Sequence, residues 1–440
     1  MRTLPPAVAT AVHVATLARK AGLPIPPKVL AVLDAAADPF PGRWLLDPLP
    51  GDPIRVVELF AGPGGWSEGI AKVLGVAVDA VGIDISKDAC ATARAAGHFR
   101  ICADITTLDP EHYALRHVRG LIVSPPCPSF SPAGKHSGQD QANINTLCRV
   151  LAQTSEAGGF LPGNELDDWC EGCDTCDELG YHDGYAPRSG VTWDELRAQL
   201  APLTDPRIGL MAELLFWAFG MQAAGAPLEF IAMEQSSRLP QQILDDIRLE
   251  LRGGQEEGEW YWTTHGILEA SQFGLASRRE RVFFLASRRL SYLPTPTENV
   301  PQTTMAQALG WKEGEKINTR GVRGIDPKTG RPKGGNEFSA DRPSNCLTGK
   351  ARTWKRVSDG LRLTQNEAAL LVGFRASYPS QGSRTSVFQQ LADVVPPLMA
   401  ARLLAQFFNV DGETLATDYL CQLYRMNELV HSTDDYTPAA

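Results

Sequence analysis

Cys127 stands in the run SPPCPSFSP, residues 124–132, between two prolines and just after the apolar stretch LIV. In open α/β sheets ligands bind beyond the carboxyl ends of the strands, and an apolar stretch that stops at prolines places Cys127 at such an end. Prolines fix φ and remove backbone donors, so the loop carrying the thiol is stiff. A thiolate there is a nucleophile once a nearby cation or polarising group lowers its pKa. Without such a neighbour, a free cysteine is a small buried hydrophobe.

A second group begins at ELFAGPGGWSEG, residues 58–69. Gly62, Gly64 and Gly65 follow an apolar strand signal, and glycines there admit positive φ and close approach of the backbone to a ligand. Asp84 ends the next strand signal, about 20 residues on, where a carboxylate can accept from ribose hydroxyls. Asp104, in CADIT, follows a third short strand and can accept from an adenine amino group. Each acid alone reads as a solvated strand end; the ordered series reads as a nucleotide-type cofactor site. Glu234, in FIAMEQ, ends a further strand and can act on the same substrate as Cys127.

Cys170, Cys173 and Cys176 form a compact C-x2-C-x2-C cluster, and with His182 they supply three thiolates and an imidazole, a donor set for structural zinc. Cys148 is an alternative fourth ligand. The other reading is three reduced cysteines in a surface loop.

The elements that must position these residues alternate in type. IRVVELF is a strand, SEGIAKVLG a helix, VDAVGIDI a strand and KDACATARAAG a helix; LIVSPP, FIAMEQ and RVFFLASR are further strands. This succession implies an α/β fold with a doubly wound, mostly parallel, Rossmann-like sheet. Residues 1–50 read as a helical extension ending in a Pro-rich link. Residues 135–205, rich in Gly, Asp, Pro and Cys, read as an insertion. Residues 288–342 lack regular periodicity and suggest a small separate lobe.

Composition is that of an ordinary globular chain, with 43% hydrophobic and 21% charged residues. Nine cysteines in 440 residues do not make a disulfide framework. No run of 18 apolar residues is present, so no membrane span is expected, and a cytoplasmic, monomeric protein is the expectation. The net charge of −9 excludes a basic coat, but Lys312–Arg356 holds 12 Lys/Arg against 5 Asp/Glu, a local surplus of 7. That surplus reads either as a solvated loop or as a nucleic-acid contact.

Taken in order, ELFAGPGG, GIDIS, ADI, PPCPSFS, MEQ, QFGLASRRER, RPSNCLT, RLTQNEAALLVGF and QLADVVPP resemble the motifs of the cytosine-5 DNA methyltransferase family, over roughly residues 55–405. The resemblance implies the S-adenosylmethionine methyltransferase fold with a small target-recognition lobe. It places Phe60, Ala61, Gly62, Gly64, Gly65, Asp84, Ile85, Asp104, Ile105 and Pro126 around S-adenosylmethionine. It makes Cys127 the nucleophile at C6 of cytosine, Glu234 the acid at N3, and Arg279 and Arg281 the pair that holds the flipped base and the Cys loop. The implied partner is double-stranded DNA, with a cognate restriction enzyme as a possible companion and a prokaryotic or phage source. Within this frame residues 51–287 form the catalytic domain, 288–342 the recognition lobe, 343–410 a return to the catalytic domain and 411–440 a tail. Arg320, Arg323, Lys328, Arg331 and Lys333 are the candidate phosphate or guanine contacts.

The chain departs from the family at several points. Glu234-Gln235-Ser236 stands where Glu-Asn-Val is usual, Ala392-Asp393 where Gly-Asn is usual, and Pro128 and Ser277 where glutamines are common. The changes leave Cys127, Glu234 and both arginines in place and bear on rate and specificity. Alternatives of RNA as substrate, a modified methyl group, or a catalytically silent DNA-binding module are compatible with the same residues.

Overall fold

The computed structural model describes residues 4–130, 137–160, 189–252, 261–296, 300–319, 327, 330 and 337–431, with side chains described up to Tyr424. The central sheet has seven strands: β1 (Ile54–Leu59), β2 (Val78–Asp84), β3 (Arg100–Cys102), β4 (Val118–Val123), β5 (Phe230–Ser236), β6 (Trp262–Glu269) and β8 (Glu280–Ser287). A two-residue strand, β7 (Ser277–Arg278), precedes β8 and pairs with Ser344–Asn345. The order is β3-β2-β1-β4-β5-β8-β6. The first five strands run parallel, and β8 lies antiparallel between β5 and β6. This is the doubly wound, mostly parallel α/β sheet that the sequence implied.

Period-two alternation explains the two cores. Val57, Leu121, Val123, Ile231, Met233, Val282 and Phe284 face one apolar cluster, and their neighbours Val56, Ile122, Phe230, Ala232, Phe283 and Leu285 face the other. Strands covered on both faces read as continuous apolar runs, as IRVV, LIV and FIAM do. The first face is covered by helices Gln141–Leu151, Glu213–Ala223 and Gln241–Leu251; the second by Gln365–Leu371, Arg384–Asp393 and Pro397–Phe408.

The N-terminal extension, read as a helical preface, consists of helices Pro6–Lys20 and Pro27–Ala37. Leu33, Ala37, Trp44 and Leu45 join the first core, and buried Arg55 on β1 donates to the carbonyls of Trp44 and Leu46, each at 2.6 Å. These residues brace the sheet.

The expected insertion over 135–205 is not uniform. Helix Gln141–Leu151 buries Leu147, Val150 and Leu151, and Trp193–Ala198 buries Leu196, so both ends belong to the core. The periodicity was masked by their polar outer faces. The boundary at 342 also falls inside a unit: a three-stranded sheet joins Glu337–Ser339, Lys316–Asn318 and Lys355–Arg356. Arg384–Phe408 is apolar and long enough to cross a membrane by length and composition alone, but 72% of its apolar window is buried and it breaks at Val394–Pro396 into two core helices.

Candidate active site

The sheet order decides what meets at its edge. β1 and β4 are neighbours with Leu59 beside Val123, so the glycine turn after β1 lies next to the Cys127 loop after β4. The chain winds outward from β1 to β3 and then crosses to β4, which makes this the topological switch point. β5 is next, with Met233 beside Val123 and Glu234 one residue beyond. Because β8 runs antiparallel, its first residues lie at the same edge: Arg281 pairs with Ser236, and Phe283 with Glu234.

These ends enclose a cavity of about 850 Å³. The strand order sets Phe60, Ala61, Gly62, Asp84, Ile85, Asp104 and Ile105 on its β1–β3 side and Pro126, Cys127, Glu234, Arg279 and Arg281 on its β4, β5 and β8 side. Asp84 accepts from Gly62 N at 2.8 Å and from Ser86 N at 2.7 Å, which ties the second strand to the glycine turn. Asp104 caps the short helical turn Ile105–Thr107, accepting from Thr106 N at 3.0 Å. Phe60 has φ of 55°, an outlier for a bulky residue, on the cavity wall.

Gly64 differs from its neighbours. It is absent from the cavity wall, and a Cβ on it would face His98, Tyr378 and Arg100 instead. Its φ of 109° is what requires glycine. Gly65 does line the cavity, yet it also allows the Val394–Val395 segment to approach, since a Cβ there would run into the Val395 carbonyl.

The Cys127 loop is anchored on both sides. Trp66 Nε1 donates to Ser124 Oγ at 2.9 Å, and Gln235 Nε2 donates to the Pro125 carbonyl at 3.1 Å. Burial pushes the Cys127 thiol up to about 12; Glu234 adds to the rise, and the guanidiniums of Arg281 and Arg279 oppose it. Glu234 is 1% exposed. Burial raises its pKa against the opposing pull of Arg281 and Arg279. Arg281 Nε lies 2.9 Å and Arg279 Nη2 3.8 Å from Glu234 Oε1. Arg279 Nη1 also donates to the Ala392 carbonyl at 2.5 Å. Alignment is poor between the charges: Glu234 Oε1, Arg279 Nε and Arg281 Nε are buried without a hydrogen-bond partner. Unpaired buried groups grouped at a cavity mark a place for a polar ligand.

Asp393 also lines the cavity and accepts from Gln389 Nε2 at 2.6 Å. Burial raises its pKa, Gln389 and the two arginines oppose, and Asp84 adds to the rise.

Sequence reasoning missed a whole wall. Arg197 and Leu200, inside the supposed insertion, and Pro206, Arg207, Leu210 and Glu213, just after it, close the cavity. The Asp205-Pro206 pair is a helix-start signal, and it does cap Pro206–Ala212, but nothing in its pattern pointed to the site. Cys170, Cys173, Cys176 and His182 lie outside the described residues, as do Arg320, Arg323, Lys328, Arg331 and Lys333. Cys148 is buried in helix Gln141–Leu151, its thiol raised by burial and by Asp246. Among the described residues no cluster of three or more His, Cys, Asp or Glu side chains has metal-holding geometry.

The match to known proteins covers the glycine turn, both acidic strand ends and the Cys loop together. Residues 54–155 match the model of the C-5 cytosine-specific DNA methylase family. Across 385 residues the chain is 24% identical to the type II methyltransferase M1.HphI of Haemophilus parahaemolyticus, covering 79% of this chain and 84% of that one. Among solved structures it is similar to the Dnmt2 methyltransferase of S. pombe, with 16% identity, TM-score 0.49 and coverage of 81% of this chain and 98% of the other. It is also similar to the methyltransferase EhMeth of Entamoeba histolytica, with 12% identity, TM-score 0.47 and coverage of 81% and 98%. The matched family is one of S-adenosylmethionine-dependent methylases, and the cavity presents groups that fit that cofactor: the Asp84 and Asp104 carboxylates and the strained Phe60 lie on its β1–β3 side, with Cys127 on the β4 side.

Proposed function

We propose that this protein transfers a methyl group from S-adenosylmethionine to C5 of a cytosine in DNA, through a covalent bond between Cys127 and C6. The observation that carries the reading is one cavity lined by both a cysteine nucleophile and a buried carboxyl that burial biases towards protonation.

C5 of cytosine is a poor nucleophile within an aromatic ring. Addition of the Cys127 thiolate to C6 breaks the aromaticity and moves an electron pair towards C5 and N3. A proton held by Glu234 at N3 absorbs that charge. The guanidiniums of Arg279 and Arg281 supply donors towards the polar edge of the base and a positive field for the thiolate. S-adenosylmethionine, when bound, supplies an electrophilic methyl group for C5. Loss of the C5 proton to a base then lets the C6–S bond break and returns Cys127. The reacting ring edge is inaccessible within a duplex, so the base must be swung out, at a cost of a few kcal/mol that protein contacts offset.

The high pKa of Cys127 fits this order of events. The thiol stays protonated in the resting protein and becomes nucleophilic when a bound base and the two arginines stabilise its thiolate. Double-stranded DNA is the substrate this reading requires, and the type II methyltransferase name of the bacterial relative supports a companion restriction enzyme. The basic stretch Lys312–Arg356 supplies charge for the phosphates.

The test is base-resolution mapping of 5-methylcytosine in DNA from cells expressing the chain, with Cys127→Ala alongside. A mark at a fixed short sequence, lost in the variant, is expected. No new mark in DNA overturns the reading.

A further inference from the structure

We infer that Asp205 is a positioning residue that clamps the catalytic loop through Ser129, two residues beyond Cys127; the inference rests on the reading of Cys127 as nucleophile. Ser129 is fully buried, and its hydroxyl donates to Asp205 Oδ2 at 2.7 Å. Ser137 Oγ reaches the same oxygen at 3.3 Å. The chain therefore leaves the loop and re-enters it against one carboxylate, and Gly138 N closes the entry by donating to the Ser129 carbonyl at 2.9 Å.

The carboxylate is itself fixed. Arg207 holds it in a fork, Nε to Oδ1 at 2.9 Å and Nη2 to Oδ2 at 2.7 Å, and Arg207 N adds a bond to Oδ1 at 3.1 Å. Two-point guanidinium pairing fixes orientation as well as charge. The preceding residue is fixed too: Thr204 N donates to Asn143 Oδ1 at 3.1 Å, while Asn143 Nδ2 donates to Thr204 Oγ1 at 2.7 Å and to the Ser137 carbonyl at 2.8 Å. The Arg207 hydrogen bonds hold the Asp205 carboxyl far below the usual carboxylate range, with Ser129 adding to the effect, so the clamp stays ionised across neutral pH.

The consequence is local. Phe130 N donates to the Cys127 carbonyl at 3.0 Å, and the Phe130 ring is fully buried, so Ser129 and Phe130 together set where the Cys127 turn sits. Gln235 fixes the other side at Pro125. A nucleophile held from both sides is pre-organised for attack, and a displacement of about 1 Å costs on the order of 100-fold in rate. Arg207 and Pro206 line the cavity, so the same segment joins the loop to the cavity wall.

The test uses the full chain and the variants Ser129→Ala, which removes one hydroxyl, and Asp205→Asn, which keeps size but loses the charge. The first readout is the alkylation rate of Cys127 by iodoacetamide without nucleic acid, followed by mass spectrometry. The second is the single-turnover methylation rate on duplex DNA, with the S-adenosylmethionine Kd measured for Ser129→Ala. Expected are an alkylation rate raised several-fold in both variants and methylation lowered by about 10- to 100-fold, with the Kd within about threefold and the melting temperature retained in Ser129→Ala. Alkylation within about twofold of the parent in both variants overturns the clamp, as does unchanged methylation in an active parent. If alkylation rises while the parent itself places no methyl on cytosine, the clamp stands and the cytosine reading falls.

Discussion

Gln235 Nε2 donates to the Pro125 carbonyl at 3.1 Å, from β5 to the loop that begins after β4. Its Oε1 accepts from Ser236 N at 2.8 Å, so the amide is oriented and both ends are in use. The residue that departs from the family's usual Asn therefore still ties down the Cys loop. Gln235→Ala leaves the buried Pro125 carbonyl with only the weak bond from the Cys127 thiol and removes the acceptor of Ser236 N, a cost of about 1–3 kcal/mol. Denaturant melts are expected to show that loss, and single-turnover assays a fall in methylation with cofactor affinity largely kept.

Cys127→Ala is expected to abolish turnover and leave S-adenosylmethionine binding nearly intact, because the thiol follows β4, across β1 from the β2 and β3 ends that carry Asp84 and Asp104. Since burial holds the thiol at about 12, the parent's single-turnover rate is expected to rise as pH goes from about 6 to 9 as thiolate becomes available. A flat pH–rate profile counts against the thiol as the titrating group.

Asp393→Asn tests the second departure. Asp393 is one of the charges that raises both Cys127 and Glu234. Removing its negative charge stabilises a thiolate at Cys127, so the rising limb of the pH–rate profile is expected to move to lower pH. A shift to higher pH, or none, contradicts this electrostatic role.

On the proposed reading Asp84→Ala loses contacts with the cofactor's ribose; it also frees Gly62 N and Ser86 N. Calorimetry is expected to show S-adenosylmethionine binding weakened by about 1–3 kcal/mol, with turnover at saturating cofactor less affected. An unchanged dissociation constant removes the ribose role.

Gly65→Ala places a methyl against the Val395 carbonyl and the Val394 side chain, in a backbone contact that cannot easily give. The expected cost is about 1–3 kcal/mol or more, seen as a lowered melting temperature. Gly62→Ala meets no atom within 4 Å and carries only the strain of its φ of 53°, so it should be milder.

The sequence by itself determined most strands of the central sheet, though not β6, and which residue types stand at their ends. Continuous apolar runs such as LIV and FIAM mark strands buried on both faces, and Cys127, Glu234, Asp84 and Gly62 follow those runs directly, so local pattern suffices to find them. It also placed Arg279 and Arg281 beside an apolar strand. What the tertiary structure decided is which ends meet. The order β1-β4-β5-β8 and the antiparallel run of β8 bring Arg281 to Glu234, a relation with no trace in sequence spacing. Only the fold showed that Gly64 faces Tyr378 rather than the cavity, because a glycine's use depends on what its missing Cβ would meet. And only the fold joined Asp205 to Ser129 across 76 residues, since a hydrogen bond between distant elements leaves no periodicity to read.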